Sequence, residues 1–136
     1  MDQTFGKEYK LCSQKKIESL FKTGKSVKKF PLIVHFQEVE EETLSKPFQI
    51  VISAPKRIYR KAHDRNRIKR LMREAVRKNK NILESYLLPK NKNIILFLVY
   101  TNKEEIPLHV LMKKTEQLFN LVIQKIDQNE ISNVAN

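Results

Sequence analysis

Residues 64–76, Asp64-Arg65-Asn66-Arg67-Ile68-Lys69-Arg70-Leu71-Met72-Arg73-Glu74-Ala75-Val76, decide how the rest of the chain is read. Ile68, Leu71, Met72, Ala75 and Val76 recur at the spacing of one buried helical stripe, which predicts a helix from Asp64 to about Asn79. Off the stripe the residues are mostly cationic. Arg65, Lys69, Arg73 and Arg77 are four apart and form one row, Arg67 and Arg70 stand beside it, and Glu74 is the only acid among them. Like charges at this spacing each cost about a few tenths of a kcal/mol in an isolated helix.

With Asp64 as N-cap, Arg65 and Arg67 fall in the first turn. Positive charge there opposes the helix dipole, at roughly 0.3–1 kcal/mol per exposed charge. A local rule broken in this way is usually compensated at a functional surface. A phosphate backbone would supply that compensation, taking guanidinium forks bidentately and accepting from helix-terminal amides. The other reading is a solvated charged face. The scarcity of acids and the conflict with the dipole favour phosphate.

Working outward, Ser13 caps a short helix to about Thr23, with Ile17, Leu20 and Phe21 on one face and Gly24 as its stop. Lys25–Lys29 reads as a basic loop into a strand over Phe30–Phe36, with Pro31 near its start. The acidic run Glu38–Glu42 is expected in a solvent-facing hairpin loop, turned away from any nucleic acid. A second strand covers Phe48–Ser53. Ile82–Leu88 adds a turn or two of helix before Pro89. Ile94–Tyr100 is continuously apolar and predicts a central strand buried on both faces or nearly so. Pro107 opens a last amphipathic helix carrying Leu111, Leu118, Val122 and Ile126. The order is α-β-β-α-β-α, an α+β fold built as a two-layer α/β sandwich. Residues 1–126 form one domain, and the polar tail 127–136 is expected to fray.

The sequence has 136 residues, with 27 Lys and Arg against 15 Asp and Glu, a formal charge of +12. That excess favours polyanionic partners. Met1–Glu8 lacks the apolar stretch of a signal peptide, and no apolar run approaches the roughly 20 residues that span a bilayer. A cytoplasmic protein with no membrane partner is expected. The single cysteine, Cys12, forms no intrachain disulfide and reads as structural. His63 and His109 have no partner at metal spacing. Two glycines in all exclude Walker loops, dinucleotide fingers and the GXXG loop of KH domains, and the glycine-bearing RNP1 pattern is missing. No carboxylates converge from strand ends as a two-metal nuclease requires, so no catalytic residue is assigned.

Arg65–Glu74 resembles the Arg-Asn-Arg signature of the bacterial ribonuclease P protein family, a specific motif because a basic amphipathic helix follows the triplet. Phe21-Lys22-Thr23-Gly24-Lys25-Ser26 resembles that family's Phe-Lys-x-Gly-x-Ser segment, and Ser53-Ala54-Pro55-Lys56-Arg57 its Ser-x-x-Lys-Lys element. The resemblance runs from about Leu11 to Ile126. It implies a left-handed βαβ crossover, where general rules favour a right-handed one. It also implies two partners, the ribonuclease P RNA and precursor tRNA, and a role in removing the 5′ leader as a non-catalytic subunit. No protein partner is implied, and no cofactor on the protein itself. Mg2+ is expected with the RNA subunit.

By position in the motif, the resemblance assigns Arg65, Arg67 and Arg70 to the RNA-subunit face. Phe21, His35, Lys56, Asn66, Lys69 and Arg73 are assigned to the leader-binding cleft or its rim. Two departures stand out. The family often has an aromatic where Ile17 stands and a tyrosine at His35, and 58–63 lacks the family's loop glycine. Read from the residues alone, Phe21 serves equally as core, and His35 as a hydrogen-bonded sheet-edge histidine. A ribosomal or general RNA-binding protein without a processing role is the alternative. A DNA-binding regulator is disfavoured by the lack of a helix-turn-helix pair.

Overall fold

A computed structural model describes residues 6, 9–11, 13–39 and 46–135. The elements are α1 (Gln14–Thr23), β1 (Lys25–Lys29), β2 (Leu32–Val39), β3 (Phe48–Ser53), α2 (Ala62–Leu87), β4 (Asn93–Tyr100) and α3 (Leu108–Ala135). This is the expected α+β sandwich with one strand more than the sequence suggested. Cys12 and Glu40–Glu42 lie outside the described residues.

The extra strand is the basic segment Lys25–Lys29. Val27 is its one buried side chain, and four flanking polar residues hide the alternation a strand normally shows. Such lysine-rich composition suits an edge strand, since it discourages pairing with other chains. The sheet order is β1-β2-β4-β3, with β2 antiparallel to both neighbours and β3 parallel to β4. The hairpin is therefore β1–β2, closed by the two-residue turn Phe30–Pro31. β2 and β3 are not paired with each other, because β4 lies between them. Glu38 belongs to β2 and meets Lys92 at 3.4 Å. β3, α2 and β4 form the parallel crossover unit.

α1 is capped as predicted, the Lys16 amide donating to Ser13 Oγ at 3.2 Å. Gly24 ends it by close approach rather than by a left-handed backbone, since its φ is −76°. A Cβ there would stand 2.3 Å from the Leu20 carbonyl oxygen and 3.0 Å from that of Phe36. Only glycine lets β2 come this near.

α2 is a single helix of 26 residues that starts two residues earlier than expected. Lys61 is its N-cap without a side-chain cap bond, and Asp64 sits in the first turn, where its charge suits the dipole. Arg65 and Arg67 consequently fall beyond the first three helical residues, which removes most of the expected dipole conflict. Ile68, Met72, Ala75, Val76, Leu83 and Leu87 are buried. Each large apolar side chain so buried contributes about 1.5–3 kcal/mol.

The main core lies between one sheet face and the pair α2–α3. Val27, Leu32, Val34, Phe36, Phe48, Ile50, Leu96, Leu98 and Tyr100 meet Leu111, Leu118, Phe119, Val122 and Ile126 there. The Val110 and Leu111 amides donate to the Pro107 carbonyl, so proline opens α3 as read. The α3 backbone is helical over Leu108–Ala135, and Tyr86 Oη donates to the Asp127 carboxylate. Among the described residues, no helix is long and apolar enough to cross a membrane.

Candidate nucleic-acid interface

The second sheet face is only partly covered. α1 seals one end, where Leu20 packs with Leu11 and Ile95. Ser19 Oγ and Thr23 Oγ1 bracket the Gln37 side chain at 3.2 and 2.6 Å. Beyond that end no described element covers the face. In register across three strands stand His35, Phe97 and Val51, followed by Ile33, Val99 and Ser53. β1 adds Ser26 opposite His35 and Lys28 opposite Ile33.

Phe21 sits at the boundary. Its ring centroid is 5.0 Å from that of His35 and 4.9 Å from that of Phe97, yet the side chain is 53% exposed. It is therefore neither a core residue nor a lone surface aromatic. The three rings make a platform with one face available to a planar group. Partial burial lowers the His35 pKa below the usual histidine value, so its imidazole is neutral above that range. A neutral ring stacks without the cost of desolvating a charge.

α2 supplies the rim. A cavity of about 550 Å³ opens between it and β3, lined by Lys10, Leu11, Ile50, Val51, Ile52, Lys69 and Arg73 with Gly6. Among the described residues three cations and no carboxylate line it. Lys10 and Leu11 are held at the wall by backbone pairing, Leu11 N–H donating to the Ile50 carbonyl at 3.1 Å. Tyr9 anchors the same segment, donating to Glu84 at 3.1 Å and accepting from buried Lys80 at 3.4 Å. Lys69, Arg70 and Arg73 form no ion pair with a described residue.

The four-residue row of cations does not stay on one line. Each step of four advances about 40° around a helix of 3.6 residues per turn, and the row spirals accordingly. Arg65 turns inward, its Nη1 donating to the Tyr59 and Arg60 carbonyls at 3.0 and 2.9 Å. Lys69 and Arg73 reach the cavity. Arg77 forks onto Glu74 at 2.6 and 3.0 Å, which raises its pKa and holds the Glu74 carboxyl below its ordinary value. Arg67 forks onto Glu105 at 2.7 and 2.9 Å while remaining 66% exposed. Tyr59 braces the same corner by donating to the Asn102 carbonyl at 2.8 Å. Burial and the neighbouring Tyr100 push its pKa up to about 12.

A family model described as Ribonuclease P matches residues 5–122. The chain belongs to the Ribonuclease P family. It is 38% identical to the Ribonuclease P protein component of Porphyromonas gingivalis (strain ATCC BAA-308 / W83) over 86 residues. That match spans 62% of this chain and 62% of the relative. The RNase P protein of Staphylococcus aureus superposes with a TM-score of 0.65 at 19% identity, covering 84% of this chain and 94% of that one. The RNase P protein from Thermotoga maritima gives 0.64 at 22% identity, covering 81% and 94%. At these identities the structural likeness is one of fold.

On this Ribonuclease P fold the candidate residues separate. Phe21 and His35 come together, and Lys69 and Arg73 share a cavity wall. Asn66 is exposed on α2. Lys56 is exposed in the turn after β3, past the Ser53–Val99 end of the face rather than beside the aromatic rings. Of the three arginines assigned to the RNA-subunit face, Arg70 alone is both exposed and without an ion pair among the described residues. Arg65 is spent on the Tyr59–Arg60 loop, and Arg67 is paired with Glu105, neither of which the spacing in sequence foretold. Phe97, Lys10 and Lys28 join the surface without having been singled out. Phe97 was hidden because every residue of Ile94–Tyr100 is apolar, so nothing in composition marks which face is open.

Proposed function

We propose that this chain is the protein subunit of ribonuclease P, binding the catalytic RNA and holding the single-stranded 5′ leader of precursor tRNA while the RNA subunit removes it. The observation that carries this reading is the half-exposed Phe21–His35–Phe97 platform beside Lys69 and Arg73. Single-stranded RNA is bound by aromatic stacking combined with cations that track its backbone, and sequence-tolerant leader binding needs no more than that. Arg70 and the neighbouring cations of α2 would contact phosphates of the RNA subunit.

In this reading the chain contributes affinity and positioning. A leader fixed on the open face has fewer orientations to lose at the scissile bond. Among the described residues no three His, Cys, Asp or Glu side chains come together as metal ligands. The magnesium expected with the RNA subunit would be held by RNA phosphates.

The test is reconstitution. Added to a ribonuclease P RNA in low magnesium, the chain should restore cleavage at the mature 5′ end of a labelled precursor tRNA, and the chain alone should cleave nothing. For about six phosphate contacts, log K should fall against log salt with a slope of roughly −4 to −5. RNA binding without restored cleavage would assign a general RNA-binding role instead.

A further inference from the structure

The β1–β2 hairpin ends in Phe30, which is 67% exposed, the most exposed of the described phenylalanines. Its exposure is imposed by its neighbours. Pro31 is buried, and its carbonyl accepts from the Thr101 amide at 2.8 Å and from Thr101 Oγ1 at 2.9 Å. Lys29 is held in register opposite Leu32. A two-residue turn fixed on both sides holds the Phe30 backbone at the tip, and the ring is presented to solvent rather than to the core.

The surroundings are cationic. From Lys25 to Gln37 the hairpin contains no acid, and Lys28 and Lys29 directly precede the ring. β2 starts where β4 ends, Leu32 opposite Tyr100, and β3 ends beside Val99. The tip thus shares one end of the sheet with Lys56, Arg57, Arg60 and Lys61. The open face, with Lys28 and Ile33 at its edge, runs toward this same end.

We infer that Phe30, flanked by Lys28 and Lys29, is a second stacking site for an unpaired RNA base, separate from the Phe21–His35–Phe97 platform. A ring carried on a fixed turn needs no backbone ordering when a base stacks on it, and the adjacent ammonium groups meet the phosphates on either side of that base. The base belongs either to a leader-distal nucleotide running off the open face or to a single-stranded segment of the RNA subunit. The inference rests on the proposed subunit role.

The experiment measures binding of wild type, F30A, F30Y and F21A to ribonuclease P RNA. It also measures binding of the reconstituted complexes to precursor tRNAs with leaders of 4 and about 15 nucleotides. F30A should weaken one of these interactions about tenfold, as expected for one lost base–aromatic stack, and F30Y should restore it. Weakening confined to the long leader assigns the base to the leader; weakened association with the RNA subunit assigns it there. Unchanged F30A binding in both arms, with F21A impaired, overturns this inference and leaves the subunit role standing. Equal defects in F30A and F30Y also overturn it, as does F30A altering only self-association of the chain. Wild type that binds neither RNA removes the subunit role itself.

Discussion

Arg67 and Glu105 are locked fork to fork, Nε to Oε1 at 2.7 Å and Nη2 to Oε2 at 2.9 Å. The pair ties α2 to the β4–α3 connection, 38 residues away, at the point where Tyr59 and Arg65 brace the preceding loop. An arginine of the signature motif is thereby oriented but also partly neutralised. A phosphate approaching this corner competes with a carboxylate already in place.

Replacing Glu105 by Gln should therefore raise RNA affinity and Arg67→Ala should lower it. An exposed pair is worth about 0.2–1 kcal/mol, so the E105Q gain is a factor of roughly 1.5–5, with a stability loss no larger than that. Filter binding to ribonuclease P RNA checks the first, and urea unfolding the second. A weaker-binding E105Q would mean that Glu105 positions Arg67 rather than masking it.

The aromatic platform predicts a division between Phe21 and Phe97. Phe21→Ala should cost about 1–3 kcal/mol of binding to a single-stranded leader, with little change in Tm because the ring is mostly exposed. Phe97→Ala should impair the same binding and also lower Tm, since that ring is packed between α1 and the sheet. Leader-oligonucleotide titrations with parallel melting curves separate the two; equal melting losses would contradict the placement.

His35 gives the pH dependence. Its pKa is lower in the folded chain than in the unfolded chain, so the folded state binds fewer protons near pH 6. Its contribution to stability is thus complete above the ordinary histidine range and is lost as pH falls through that range to the lowered value. Tm should drop between pH 7.5 and 5.5 by more in wild type than in H35Y, whose ring does not titrate there. An NMR titration placing His35 above the usual value would reverse the sign.

Gly24 permits a test of the fold itself. An alanine methyl must displace the Leu20 carbonyl or the α1–β2 contact, at roughly 1–3 kcal/mol as for other overpacked sites. The urea midpoint of G24A should fall accordingly. An unshifted midpoint would show that α1 can move freely on the sheet, and the position of Phe21 against His35 and Phe97 would then be poorly fixed.

Much of this protein is written in local patterns. The stripe Ile68–Val76, the cap at Ser13, the start at Pro107 and the apolar run Ile94–Tyr100 each specify an element, because helix and strand periods are properties of neighbouring residues. The cationic character of α2 and the family membership were legible in the same way. Which cation does what was not. Arg65, Arg67 and Arg77 found partners in a loop carbonyl, a residue 38 positions away and a neighbour one turn back, while Lys69, Arg70 and Arg73 found no ion-pair partner among the described residues. β1 and the exposure of Phe97 were likewise settled by pairing across the sheet. Burial and charge compensation depend on what the chain brings together in space, and a one-dimensional pattern carries no record of those distances.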